Sequence, residues 1–150
     1  MKIFKIISAF FCLLLIISCS SSYDKLTSNS FEIDKKFSKY LYEENKNKAI
    51  FEAEEMHDWN SAKLYSEKAI NSAKGVKVLP QEIKYWKISS NKIIELNIAY
   101  NNLIKIYDYG LVLDPLNLAK AITSLDCWSE QTEEKWQVNH IKKCKDNFNY

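Results

Sequence analysis

Arginine is absent from this 150-residue chain, whose 21 basic residues are all lysine. The planar guanidinium fork that grips carboxylate or phosphate at two points is therefore missing. Glycine and proline are scarce as well, with two residues of each. Two glycines cannot build a phosphate-cradling loop, and there is no G-x-S-x-G nucleophile elbow. The two histidines, His57 and His140, stand far apart and neither lies in an H-E-x-x-H frame. A formal charge of only +2 gives no electrostatic case for nucleic-acid binding. From these absences no enzyme activity, metal or cofactor is expected.

What the chain does have is a distinctive start. Lys2 and Lys5 precede an apolar run from Ile6 to Ile17, followed by Ser18-Cys19-Ser20-Ser21-Ser22. These are the basic, apolar and small-residue parts of an export signal. The run is shorter than the roughly 20 residues a spanning helix needs, so a cleaved signal fits better than a permanent span. No A-x-A-like cut site is present. Instead Ile16-Ile17-Ser18-Cys19 resembles the lipobox of bacterial lipoproteins, which implies acylation of Cys19 as the new N-terminus. That resemblance makes residues 1–18 a signal peptide and predicts attachment to the membrane through lipid. Several acyl chains make such anchoring effectively stable. Ser20, where an Asp would retain such a protein at the inner membrane, favours the outer membrane. Residues 19–30 are rich in Ser and polar groups and read as a flexible tether.

Loss of the signal leaves 132 of the 150 residues, with Lys2 and Lys5 gone and a formal charge of 0. It also resolves the four cysteines. Cys12 leaves with the signal and Cys19 takes the lipid. Cys127 and Cys144 remain in an oxidising compartment, where they are predicted to pair.

Residues 31–150 form the folded domain. The pairs Gly75…Pro80 and Gly110…Pro115 each read as a helix stop, a short connection and a proline at the next start. The rest lacks breakers and is rich in Lys, Glu, Ile, Leu and Ala, which predicts an all-α fold. The expected architecture is a small up-down bundle of four to five helices. The first runs from about Phe31 to Met56. The second, capped by Asp58 or Asn60, carries Trp59, Ala62, Tyr65, Ala69 and Ala73 on one face. The third runs from Ser90 to Tyr109, with Ile94, Leu96, Ala99, Leu103, Ile106 and Tyr107 inward. Asp114-Pro115 opens a fourth helix reaching Trp136, and Asn139 caps a short fifth, which the disulfide would clip to the fourth. The two glycines lie 35 residues apart, close to the tetratricopeptide period of about 34. Their flanks do not match further, so hairpins of tetratricopeptide character are expected rather than a repeat array.

Two groupings need weighing. His57 lies among Glu52, Glu54, Glu55 and Asp58, which helical spacing scatters, so a solvated acidic stretch is expected rather than a metal site. The aromatic load, including Trp59, Trp86, Trp128 and Trp136, is expected to serve mainly core packing. Tyr85-Trp86, in the connection after Pro80, is the pair best placed to be exposed and to contact a glycan or a protein partner.

The stretch Leu125-Asp126-Cys127-Trp128-Ser129-Glu130-Gln131-Thr132-Glu133-Glu134-Lys135-Trp136-Gln137, followed by Ile141 and Cys144, resembles the N-terminal helical region of alphaproteobacterial lipoproteins of the OmpA family. Asp58-Trp59, Ser66-Glu67-Lys68-Ala69 and Ala73-Lys74-Gly75 add looser matches. The resemblance implies lipid at Cys19 and the pair Cys127 and Cys144. It assigns no role to Asp126, Glu130 or Gln131, for which pairing on the helix surface around the disulfide is expected. Relatives that continue into an OmpA-like domain bind peptidoglycan through it. This sequence has no counterpart of that domain, so no direct peptidoglycan binding is expected. The resulting expectation is a non-catalytic, periplasm-facing envelope lipoprotein that docks a protein partner, with a domain binding a glycan or small hydrophobic ligand as the alternative.

Overall fold

The computed structural model describes residues 21–135 and 137–150; the expected signal segment and Cys19 lie outside them. Among the described residues the fold is all-helical: α1 (Ser21–Ser28), α2 (Lys36–Glu54), α3 (Trp59–Ala73), a 3-10 turn (Ile83–Tyr85), α4 (Ser90–Leu113), α5 (Pro115–Glu134) and α6 (Val138–Asn149). No helix among them is long and apolar enough to cross a membrane.

Local chemistry sets most boundaries. The Asp58 carboxylate accepts from the N–H groups of Asn60 (2.9 Å) and Ser61 (3.1 Å), opening α3. Gly75, at φ +72°, closes α3. Its N–H donates to the Ser72 carbonyl, and that of Val76 donates to Asn71. Asp114 caps α5 by accepting from the Asn117 N–H at 3.1 Å, with Pro115 in the first helical position. α2 begins at Lys36, later than expected, because residues 31–35 are needed elsewhere. Phe31 packs on Tyr42 with ring centroids 5.7 Å apart.

Gly110 does not stop a helix. α4 runs through it to Leu113, and a β-carbon there would come within 3.2 Å of the Leu118 side chain. The glycine thus serves the close approach of α5 to α4. The expected inner face of α4 also needs correction. Leu96, Ala99, Leu103 and Tyr107 are buried, whereas Ile94 and Ile106 are exposed.

Residues 19–30 are not a tether throughout, since 21–28 form α1. Leu26 is fully buried beside Tyr42, Ala49, Tyr65 and Ala69. Tyr23 meets Trp59 edge-on at 5.7 Å, and the Ser22 hydroxyl donates to Glu67 at 3.1 Å. A single leucine in an otherwise polar stretch suffices, because full burial of a leucine contributes about 1.5–3 kcal/mol.

α2 packs on α3 and α5, α5 on α4 and α6, and α1 on α3. The larger apolar core gathers Leu41, Leu96, Leu103, Leu118, Ile122, Leu125 and Trp128. A disulfide joins Cys127 on α5 to Cys144 on α6, with Sγ atoms 2.00 Å and α-carbons 5.7 Å apart.

Candidate functional site

Where α2, α3 and α5 meet, the contact is polar. Lys48 and Glu52 occupy successive turns of α2, and Asp126 and Glu130 do the same on α5. In each pair, four-residue spacing puts both side chains on one helix face. Tyr65 and Lys68 of α3 stand between the two helices. Glu52, Asp126 and Glu130 are all 2% exposed or less. The expectation of surface pairing for Asp126, Glu130 and Gln131 therefore fails. It failed because a helix in contact with three others has little outer surface left.

Two groupings organise this layer. In the first, Lys68 pairs with Asp126 and also donates to the Leu79 carbonyl at 3.0 Å. Asp126 in turn accepts from the Gln81 N–H at 2.6 Å. The pair thus fastens the connection after Gly75 to the bundle. In the second grouping, Lys48 pairs with Glu52 and lies 3.5 Å from Glu130. The Tyr65 hydroxyl donates to Glu130 Oε2 at 2.9 Å. Burial raises the Glu130 carboxyl to about 7, with Glu52 adding to the rise and Lys48 opposing it. Burial likewise pushes the Tyr65 phenol well above its usual range, reinforced by Glu130.

Glu52 also corrects the expected solvated stretch around His57. His57 turns away in the left-handed region at φ +56°, and Glu54 and Glu55 are exposed. Glu52 alone faces inward. It meets the Asp58 cap and Glu130, with one carboxylate oxygen from each of the three within 4.8 Å of the others. Sequence reasoning missed this convergence. Its only signal was the four-residue charge spacing on two helices, and nothing in the sequence says that those faces meet.

The aromatic pair stays in edge contact, with ring centroids 4.9 Å apart, but divides in exposure. Tyr85 is 56% exposed, but Trp86 is 6% exposed and belongs to the interior, so the expected two-ring contact surface is reduced to Tyr85. The more prominent apolar surface lies on α4. Ile94, Ile98, Ile106, Tyr109, Val112 and Leu113 are each more than half exposed. At 100° per residue they fall within about one third of the helix circumference, an arc that adjoins the buried face at Ala99 and that they share with the exposed Glu95, Asn102 and Lys105. Beside the end of this stripe is a groove of about 680 Å³. Phe37, Val76, Tyr107, Leu111 and Val112 supply its apolar walls, and Lys77 sits 4.5 Å above the Tyr107 ring. His140 is packed beside Phe51 at 5.9 Å, away from both features.

No family model, curated protein or solved structure matches this chain.

Proposed function

We propose that this chain is an envelope lipoprotein, acylated at Cys19 and facing the periplasm, that acts by binding a protein partner rather than by catalysis. The outer membrane is the membrane favoured. The observation that carries the binding half is the exposed apolar stripe of α4 running into the adjoining groove. An apolar stripe with this spacing on the outside of a long helix suits docking of another helix or a loop. The anchoring half is supported by the lipobox and by the resemblance to OmpA-family lipoproteins.

A photoreactive amino acid placed at Ile98 or Val112 in intact cells tests this reading. A discrete protein adduct is expected at both positions, and none at Lys84, which is exposed away from the stripe. Ile94→Glu should abolish the adduct formed from Val112 while leaving the folded protein intact. No adduct at either position would overturn the reading. An adduct of twice the chain's mass would replace the partner with a second copy. The glycan alternative loses support with the burial of Trp86, whereas a small apolar ligand retains the groove as a site.

A further inference from the structure

The three converging carboxylates invite a different question: what satisfies them. Glu52 has one oxygen engaged by Lys48, while its Oε2 accepts from no protein donor although it is buried. Glu130 has Oε2 engaged by Tyr65 and is also stabilised by the Ser61 hydroxyl, while its buried Oε1 meets no donor at full hydrogen-bond geometry. Leaving a buried acceptor unsatisfied costs about 1–3 kcal/mol, and more for a charged group. Here two such oxygens occur in residues that approach each other and Asp58. The three carboxylates against Lys48 leave a formal charge of −2.

We propose that Glu52, Asp58 and Glu130 form a binding site for a hard divalent cation of the calcium type. Oxygen ligands hold Ca²⁺ at about 2.3–2.6 Å, so two oxygens on one ion are at most about 5 Å apart. The mutual spacing of 4.8 Å or less meets that limit. The donor set is all oxygen, which selects Ca²⁺, Mg²⁺ or Mn²⁺ over Zn²⁺ or Cu²⁺. Lys48 bonds to the Glu52 oxygen that is already taken, leaving Oε2 for the ion. A bound dication would cancel the residual charge and give the three carboxylates a common partner.

There is an entry path as well. A shallow pocket of about 200 Å³ is lined by Asp58, Ser61, Glu130 and Glu134. The Ser61 hydroxyl, the Glu134 carboxylate and water can complete the coordination from this side. The ligands come from α2, the α2–α3 connection and α5, so occupancy would tie these three parts of the bundle together. The site is remote in role from the α4 stripe, and the proposal does not depend on the proposed function.

The test uses the purified full chain in detergent, stripped with chelator and titrated with Tb³⁺, whose emission Tyr65 should sensitise through its contact with Glu130. Saturable emission is expected, displaced by Ca²⁺, together with a rise in melting temperature on adding Ca²⁺. Asp58→Asn keeps a good N-cap while removing a charged ligand. It should weaken binding at least tenfold and abolish the Ca²⁺-dependent rise. Glu130→Gln should do the same, and Glu95→Gln, an exposed acid elsewhere, should change neither readout. Absence of saturable emission would overturn the site, as would emission that millimolar Ca²⁺ fails to displace. Unchanged binding in Asp58→Asn would overturn it too, and this variant decides the matter if Glu130→Gln does not fold.

Discussion

At the scale of single residues, the polar layer carries the sharpest consequences. Lys68 and Asp126 are both buried, so removing one leaves the other as an uncompensated charge. Lys68→Met should therefore cost about 3–5 kcal/mol in denaturant unfolding. The double variant Lys68→Met/Asp126→Leu should recover most of that loss, because two apolar groups need no partner. A double variant as unstable as the single one would mean that the contacts to Leu79 and Gln81, rather than charge pairing, dominate. Tyr65 makes a prediction in pH. Its phenol is raised above the unfolded value of 10 by burial and by Glu130. Its contribution to stability is thus fully present below pH 10 and is lost as pH rises through the folded value. Ultraviolet titration should find one phenol that ionises only as the chain unfolds, and Tyr65→Phe should remove that late step. A phenol count unchanged by the substitution would contradict the assignment.

At the scale of elements, two attachments can be tested independently. Leu26 is the buried anchor of α1, so Leu26→Ala should cost about 2–5 kcal/mol, the usual range for a core leucine. An unchanged melting temperature would mean that α1 contributes nothing to the fold. Cys144→Ser should lower stability by about 3 kcal/mol in the chain-entropy account while helix content stays the same. Equal melting temperatures for oxidised wild type and variant would remove the disulfide from the stability of α6. Elements were legible in the sequence where one local interaction decides them. The Asp58 cap, the Gly75 stop and the Asp114-Pro115 start each need only their own neighbours. Gly110 was misread because its small size answers to Leu118 on the next helix, and a local rule cannot see that partner. Ile94 and Ile106 were placed inside because an apolar residue on a helix does not state which face is covered. The carboxylate cluster was illegible for the same reason: Glu52 and Glu130 meet only once α2 has packed on α5.

At the scale of the whole molecule, the bundle adds to its apolar core an interior polar layer between α2, α3 and α5 and leaves an apolar stripe on the outside of α4. The interior layer binds helices to one another, while the stripe on α4 offers area that the fold itself leaves uncovered. Under the proposed anchoring, Cys19→Ala should abolish labelling by radioactive palmitate and release the protein from the membrane fraction. Unchanged fractionation would make the apolar segment itself the anchor, and labelling without Cys19 would place the lipid on another residue.

The first helix alters what that anchoring would mean. A flexible leash over residues 20–30 would let the domain wander about 18 Å from its lipid, by the scaling for soft linkers. α1 is already helical at Ser21, the first described residue, and an acylated Cys19 would stand only two residues before it. Two residues reach about 7 Å at most. The domain would then ride close against the bilayer like a button sewn without slack. Its choice of partners would be limited to those embedded in, or lying against, the same membrane.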